Sequence, residues 1–538
     1  MRLTMKVTKV SDRPRRQHGF LGWFQKQTPH LLPLALVLAG FLLRFGLAWF
    51  TFLNPDEILH CLLADQPSLR QAYQASLTTA HPPLLILFLH YWQMLSPAEW
   101  LLRLPSVLAG IAFCWITFLW LNKAVGRSAA LTGLVLLLFS PSLIHLSSEV
   151  RQYALLLCFS ATDLYFLESA LAEKSARMMM LSFAALYLAL LTHYSALIFA
   201  LSLGIYGLIR LFRQNTAAVV ITWIVGQLIA VALCVFLYLT HISRLKRSGQ
   251  PLEIETWLGS SIYHPGHDHL VVFVFRTTIR LFHFLFSQGA VGVLGFLLFL
   301  IGIAGLSMGE PWFRSAPGKP SSRQLALLLV LPFVVNCALA VAGLYPYGGT
   351  RHNAVLAGFA MSGIAIGFSP WMDHGRWSKP LLVALGLVLV ICNVFPNPAG
   401  AYIRPRDQSR ELMEESVRFV RHEIPPGSVL FADNGGGLSL SYYFCHQRVM
   451  QYELPFQPFL QSNCSGLHVI TLAPNFRTLP DRSALGEIDP YTRSAPAPQI
   501  WFFQAGWIAG KEDIRRTLSQ TGCHDPRRFG RNILLCQL

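Results

Sequence analysis

Long apolar segments separated by short polar stretches make up most of the first 396 residues of the chain. A helix needs about 20 apolar residues to cross a bilayer, and many of the segments approach that length. We therefore predict a polytopic α-helical membrane protein with about 11 spans. The predicted spans are residues 31–53, 101–121, 131–146, 154–171, 178–191, 196–212, 217–239, 290–306, 325–344, 354–368 and 380–395.

Two other apolar stretches lack the length or the composition of a span. Residues 84–95 are short and bounded by prolines, and residues 270–287 carry two arginines and a histidine at helical spacing on one face. We expect both to be helices that lie at the outer interface of the membrane. The second also fits a span that faces a wet cavity. The stretch between the first span and residue 84 is predicted to contain a polar loop at residues 64–80.

The positions of lysine and arginine give the predicted orientation. Much of the net charge of +16 lies in the basic tail, residues 1–30, and in short loops between apolar segments. This pattern is typical of cytoplasmic anchoring and argues against nucleic-acid binding. The tail lacks a short apolar core followed by a small-residue cleavage site, so we expect the first span to be an uncleaved anchor with a cytoplasmic amino terminus.

The same rule decides whether residues 84–95 cross the membrane. If they crossed, Lys123 and Arg127 would face outside and Glu149 and Arg151 inside, against the positive-inside rule. The segment is therefore predicted not to cross, which leaves the carboxyl-terminal region outside.

Residues 397–538 are long enough to form a domain of their own, and alternating patterns predict a small α/β domain. The membrane domain is then residues 31–396. In the outer domain we predict helices at 410–423 and near 512–520, and strands at 428–432, 467–472, 499–504 and 532–536. A glycine-rich stretch, residues 433–437, is predicted to be a flexible turn leading into residues 438–444.

Four of the 10 cysteines lie in this outer region. An even number there fits an oxidising compartment, and proximity in sequence favours the pairs Cys445–Cys464 and Cys523–Cys536. The chain has no Cys-x-x-Cys spacing of the kind that holds a metal.

Unusual polar clusters emerge on the predicted outer face. They are Asn54-Pro-Asp56-Glu57, His81-Pro-Pro, Glu149-x-Arg151-x-Tyr153, His193-Tyr194, and the loop from Tyr345 through Arg351-His352. Each cluster alone fits a solvated turn, and Asp56 alone fits an N-cap of the next helix. Together they indicate a site.

The residue types in these clusters point to group transfer at a lipid surface. A carboxylate such as Asp56 suits a general base that acts on a hydroxyl. Arg151, Arg351 and His352 suit a phosphate, through charge-assisted and partly bidentate hydrogen bonds.

The clusters resemble motifs of bacterial GT-C glycosyltransferases, in particular family 39, which includes protein O-mannosyltransferases, aminoarabinose transferases and lipopolysaccharide-core sugar transferases. The residues that carry the resemblance are Asn54-Pro-Asp-Glu57, His81-Pro-Pro-Leu84, Leu102-Arg-Leu-Pro-Ser106 and Glu149-Val-Arg-Gln-Tyr153. It covers residues 31–194 and returns at 345–353.

The resemblance implies a polyprenyl-phosphate sugar donor, inversion at the anomeric carbon, and an active site on the periplasmic side of a bacterial inner membrane. It assigns Asp56 as the base and Glu57 as the acidic partner that positions it. Arg151, Arg351 and His352 correspond to the region that contacts the donor phosphate, and Tyr345 lies in the same loop. The first outer loop has no Asp-x-Asp, so we expect no metal and no other cofactor.

Further candidates on the outer face are His81, Glu149, Tyr153, His193 and Tyr194. The acceptor, whether envelope lipid, polysaccharide or protein, is left open. Two other functions stay open from sequence: a transporter or flippase of lipid-linked sugars, and an outer binding module anchored by the membrane part. Transporters usually show internal repeats, and no repeat is found in this chain.

Overall fold

The computed structural model describes residues 20–211, 216–244, 258–309, 319–373, 378–394, 407–446, 459–472, 499–505 and 524–537. The helices are α1 Phe20–Phe50, α2 Pro55–Ala64, α3 Leu69–Ser76, α4 Leu84–Trp92, α5 Glu99–Ala124, α6 Arg127–Phe139, α7 Pro141–Ser147, α8 Tyr153–Glu173, α9 Ala176–Thr192, α10 Ala196–Leu211, α11 Ala217–Leu237, α12 Leu270–Phe286, α13 Gly289–Met308, α14 Ser322–Val341, α15 Ala357–Asp373, α16 Ser378–Val394, α17 Arg410–Glu423 and α18 Asn434–Tyr443. The strands are β1 Val429–Ala432, β2 Phe459–Cys464, β3 Leu467–Leu472, β4 Ile500–Ala505, β5 His524–Phe529 and β6 Ile533–Gln537.

The predicted spans all coincide with helices, and the chain is a multi-span membrane protein. Among the described residues, 7 helices are long and apolar enough to cross a membrane, or 8 if the bent pair α6–α7 counts as one span. The remaining predicted spans coincide with the shorter apolar helices Ala176–Thr192, Ala196–Leu211 and Pro380–Asn393, and their crossing stays a prediction.

The predicted span at residues 131–146 is not one straight helix but the bent pair α6–α7. The helix breaks between α6 and α7 with a bend of 62°. The cause is Pro141, because a residue that precedes proline is disfavoured in the helical conformation; Ser140 is accordingly extended, with φ −63° and ψ 124°. The hydroxyls of Ser140 and Ser142 donate to the carbonyl oxygens of Leu285 and Phe284, so that the break is anchored on the end of α12.

The first outer loop is more ordered than predicted. Residues 64–80 contain α3, whose N-cap Ser68 accepts a hydrogen bond from the backbone N–H of Gln71. The predicted short helix at 84–95 is α4, with 9 residues, which at about 1.5 Å per residue is far too short to cross a bilayer. The predicted helix at 270–287 is α12. Whether α4 and α12 lie at the interface stays a prediction.

The outer domain is built on a 6-stranded sheet with the order β2-β3-β1-β4-β6-β5. The central strand β1 is parallel to both neighbours, β3 and β4, and the outer pairs are antiparallel. The predicted helix at 410–423 and the predicted strands correspond to α17, β1, β3, β4 and β6, whereas β2 and β5 were not predicted. The predicted helix near 512–520 lies outside the described residues, as does the domain boundary near 397.

The prediction of a flexible turn at residues 433–437 is wrong, because these residues begin α18. Asp433 caps the helix by accepting a hydrogen bond of 2.6 Å from the N–H of Gly436. The glycines allow close packing: a Cβ on Gly436 would meet the carbonyl oxygen of Phe503, and one on Gly437 would overlap the side chain of Thr471. Tertiary packing on the sheet therefore outweighs the low helix propensity of glycine.

A disulfide joins Cys445 to Cys464, with a Cα–Cα distance of 5.2 Å, as predicted. It ties the end of α18 to the edge strand β2. The second predicted pair includes Cys523, which lies outside the described residues.

The outer domain is docked directly on the chain that leads into α2. The N–H of Phe52 donates to the carbonyl oxygen of Gln408 at 2.9 Å, and the amide of Gln408 donates back to the carbonyl oxygen of Phe52 at 2.6 Å. The hydroxyl of Tyr443 accepts from the N–H of Leu53 at 2.9 Å and donates to Glu99 at 2.8 Å. The start of α2 is therefore fixed from both the membrane domain and the outer domain.

Candidate active site

Asp56 stands in the first turn of α2, and the local sequence explains why the helix begins there. Asn54 is the N-cap and forms a capping box with Glu57: its side chain accepts from the N–H of Glu57, and its own N–H donates to the Glu57 carboxylate. Pro55 occupies the first helical position, where its missing N–H costs no hydrogen bond. The cap is thus Asn54, and the carboxylate of Asp56 is left available for other contacts.

Glu57 is buried in a network that leaves it no contact with solvent. Arg103 makes a bidentate ion pair with it, with both N–O distances at 2.7 Å, and the N–H of Val150 donates to it at 2.8 Å. Arg103 also donates to the carbonyl oxygens of residues 48, 51 and 52 at the end of α1. This pair joins α1, α2, α5 and the loop before α8, and so it fixes the helix that carries Asp56.

Two arginines from distant parts of the chain meet on one oxygen of Asp56. Oδ2 of Asp56 lies 3.1 Å from Nη1 of Arg151 and 3.3 Å from Nη1 of Arg351. Both arginines are buried, and the side chain of Asp56 is 15% exposed. The structure therefore brings together the predicted base and two of the predicted phosphate ligands.

Glu149 lies behind this cluster, with one carboxylate oxygen 3.8 Å from Nη1 of Arg351. Burial raises the pKa of Glu149 to about 7, although the nearby Arg351 opposes the shift. The guanidinium carbons of the two arginines also lie 5.6 and 5.7 Å from the centre of the Tyr153 ring. Such cation–π contacts hold the planar groups in place.

Imidazole rings extend from the base into the protein. His60, one turn after Asp56 on α2, bonds through Nδ1 to the carbonyl oxygen of Asp56 at 2.6 Å. The ring centres of His60 and His81 are 6.0 Å apart, and those of His81 and His193 are 5.1 Å apart. His352 lies 6.2 Å from His193. Burial and the charge of Arg151 lower the pKa of His60 to about 3, so that this ring is neutral.

Two predicted tyrosines lie at the edge of the cluster or beyond it. Tyr345 donates to the carbonyl oxygen of His352 at 3.1 Å and so supports the loop that carries Arg351. The hydroxyl of Tyr194 bonds to Nδ1 of His241 at 2.6 Å, and none of its described contacts is with the residues around Asp56. Tyr194 thus belongs to a separate link between the outer loops.

Two residues of the site were not predicted from sequence. His60 lies four residues after Asp56, a spacing that places both on one face of a helix, and this signal was available. Arg103 belongs to a quoted motif, but its partner Glu57 is 46 residues away. No periodicity within α5 indicates that partner.

Within the ranges that the structure describes, no group of three or more His, Cys, Asp or Glu side chains is arranged to hold a metal ion. The positive charges next to Asp56 are those of the arginines.

An apolar groove lies between α12, α13 and α14. Its volume is about 640 Å³, and its lining includes Val274, Thr278, Phe299, Phe333 and Tyr347. Tyr347 lies in the loop that leads to Arg351, and its hydroxyl bonds to the hydroxyl of Thr278 at 2.7 Å. The groove therefore reaches the segment that carries one of the two arginines.

The fold and part of the sequence are similar to those of known proteins. Residues 80–239 match the family of dolichyl-phosphate-mannose-protein mannosyltransferases. The chain is similar to ArnT from Cupriavidus metallidurans bound to undecaprenyl phosphate, with a TM-score of 0.55 and 13% identity over 96% of this chain and 98% of that one. For ArnT from Cupriavidus metallidurans in the apo state, the TM-score is 0.53 and the identity 11%, with the same coverage. No curated protein sequence gives a significant match. The predicted resemblance to the GT-C glycosyltransferases is confirmed: the chain has the fold of ArnT, and residues 80–239 match the family of dolichyl-phosphate-mannose-protein mannosyltransferases.

Proposed function

We propose that the protein is an inverting glycosyltransferase that moves a sugar from a polyprenyl-phosphate donor to an acceptor hydroxyl at the outer face of the membrane. The observation that carries the proposal is the meeting of Arg151 and Arg351 on one oxygen of Asp56. A base and a phosphate clamp are the two parts that this reaction needs, and they are adjacent.

In the proposed reaction, Asp56 accepts the proton of the acceptor hydroxyl. The acceptor oxygen then forms a bond to the anomeric carbon on the side opposite the phosphate, while the bond from that carbon to the phosphate oxygen breaks. The donor is a phosphodiester, and the departing polyprenyl phosphate is a monoester that gains one negative charge. Arg151 and Arg351 stabilise this charge as it develops in the transition state. They therefore lower the activation barrier of the transfer and not merely the dissociation constant of the donor.

The two ion pairs of Asp56 suggest a change of partners on donor binding. Both arginines bond to Asp56 in the structure, and an arriving phosphate offers them a competing anion with more oxygens. As the arginines turn to the phosphate, the carboxylate of Asp56 is released to accept a proton. The base is then active only when a donor is present.

The apolar groove between α12, α13 and α14 suits the hydrocarbon chain of the donor, since it is lined by apolar side chains and by Tyr347, which lies four residues before Arg351 in the same loop. Two findings on similar proteins support a lipid-phosphate donor: ArnT is described bound to undecaprenyl phosphate, and the matched family is described as using dolichyl-phosphate-mannose. The lysines and arginines of the amino-terminal tail and of the short loops on the side away from Asp56 support a site and an outer domain on the periplasmic side of a bacterial inner membrane.

The test is a transfer assay with purified protein, radiolabelled undecaprenyl-phosphate sugars and a panel of envelope lipids, polysaccharides and proteins. The proposal predicts that label moves into an acceptor. A flippase of lipid-linked sugars would instead carry the label across vesicles without changing its chemical form. That result, with no transfer to any acceptor, would overturn the proposal.

A further inference from the structure

Among the buried polar atoms beside the proposed site that have no hydrogen-bond partner within the described residues, three belong to imidazole or phenol rings. They are Nδ1 of His81, the hydroxyl of Tyr153 and Nε2 of His193. The three rings form one group, since the centre of His193 is 5.1 Å from that of His81 and 5.2 Å from that of Tyr153. Buried polar atoms are nearly always bonded in native proteins, so such a group indicates a missing polar ligand.

The tautomer of His193 shows whether its unbonded ring nitrogen, Nε2, is a hydrogen-bond donor or an acceptor. Nδ1 of His193 lies 3.1 Å from the backbone N of Ser195, whose N–H donates to it, and 2.8 Å from the Ser195 hydroxyl, which can donate to it as well; with Nδ1 as the acceptor of both bonds, it carries no proton. Burial lowers the pKa of His193 well below its ordinary value, and the ring is neutral. The proton must then be on Nε2, which is a buried N–H donor that lacks an acceptor. The hydroxyl of Tyr153 can both donate and accept.

The three rings lie next to the residues that carry out the proposed reaction. The guanidinium carbons of Arg151 and Arg351 both lie within 5.7 Å of the centre of the Tyr153 ring, and the ring of His60, which bonds to the backbone of Asp56, lies 6.0 Å from that of His81. The sugar of a donor whose phosphate is held by these arginines would lie next to the three unpartnered atoms. Sugar hydroxyls donate and accept hydrogen bonds, and the C–H faces of a sugar pack on flat rings.

On the basis of the proposed function, we infer that His81, Tyr153 and His193 form the binding site for the sugar of the donor and that this sugar is uncharged. The rings that would contact the sugar carry no charge, because burial lowers the pKa of His81 and of His193 well below its ordinary value. Uncharged rings offer no counter-charge to a cationic or to an anionic sugar.

The experiment measures lipid binding by the full-length protein in nanodiscs. The ligands are undecaprenyl phosphate and its glucose, mannose, galactose, glucuronic acid and aminoarabinose esters. The wild type should bind at least one uncharged ester about tenfold more tightly than undecaprenyl phosphate itself. Tyr153→Phe and His193→Phe should each weaken the binding of that ester about two- to tenfold, as expected for loss of one hydrogen bond. Both variants should bind undecaprenyl phosphate as the wild type does, which also shows that they are folded.

Tyr194→Phe is the matched control, because it removes a neighbouring tyrosine hydroxyl that bonds to His241 instead, and its binding of the esters should be unchanged. Equal binding of every ester by the wild type and both variants would overturn the inference and leave water as the ligand of these atoms. Preference for the aminoarabinose or glucuronic acid ester would overturn the inference that the sugar is uncharged. Failure of the wild type to bind undecaprenyl phosphate would refute the proposed function, and this inference with it.

Discussion

The ion pair between Glu57 and Arg103 should be the main support of the helix that carries Asp56, and its removal is predicted to be costly. In Arg103→Met, the carboxylate of Glu57 stays fully buried and keeps as donors the N–H groups of Asn54 and Val150, at 2.9 and 2.8 Å. Breaking a buried pair by removing one partner costs about 3–5 kcal/mol, because the other charge is left uncompensated.

The bonds from Arg103 to the end of α1 place the expected loss at the upper end of that range. Three carbonyl oxygens of α1 and the turn after it accept from Arg103 at 2.7–2.9 Å. The double variant Glu57→Gln, Arg103→Met removes both charges and keeps a side chain that can complete the capping box. It should therefore lose less free energy of unfolding than the two single variants lose together.

The assay is unfolding of the purified protein in mixed detergent micelles, followed by tryptophan fluorescence, together with binding of undecaprenyl phosphate. Arg276→Met is the matched control, since its pair with Asp268 is 3.5 Å long and Arg276 is 42% exposed. Such a surface pair contributes about 0–1 kcal/mol. If Arg103→Met proved as stable as the control variant, the network around Glu57 would not be the support described above.

Arg351→Ala should lower turnover about 10²–10³-fold in the transfer assay with the fold intact, and Arg351→Lys should recover only part of it because an ammonium lacks the bidentate geometry; full activity of the alanine variant would exclude this residue. Cys445→Ser should lower the midpoint of thermal unfolding of the non-reduced protein, and equal midpoints would argue against a stabilising bridge to Cys464. The pKa of Glu149 is raised to about 7 in the folded protein, so folding favours the neutral carboxyl group. The stability that this neutral group contributes is lost as the pH rises through 7. The advantage of the wild type over Glu149→Gln should therefore shrink between pH 5 and pH 8, and a constant difference would contradict this.

The elements that the sequence predicted well depend on local pattern. Apolar length gave the helices of the membrane domain, and alternating patterns gave β1 and α17. The break at Pro141 had a local signal, since proline disfavours a helical residue before it, but the apolar run around it concealed the break. The helix at Gly435–Gly437 had no such signal, because the packing of the glycines against the sheet creates it.

The candidate site was predicted only in part, because only some of its residues have a local signal in the sequence. Asp56 stands next to a helix-breaking Asn54-Pro55, and Arg351 follows two glycines, so each is conspicuous within its own loop. Their meeting across 295 positions follows from the fold. Arg103 is a charged residue in an apolar helix, and only its partner Glu57 explains it. The tautomer of His193 likewise depends on tertiary contacts.

The central claim is that Asp56 is the base of the transfer reaction, and the most direct measurement compares Asp56→Asn with the wild type. Turnover with the preferred undecaprenyl-phosphate sugar should fall about 10²–10⁴-fold, as is typical for loss of a positioned base. Binding of undecaprenyl phosphate should be unchanged or tighter, because an asparagine competes less for Arg151 and Arg351. Asp268→Asn, a change at the surface, should leave both quantities as they are. Near-normal turnover in Asp56→Asn would contradict the account.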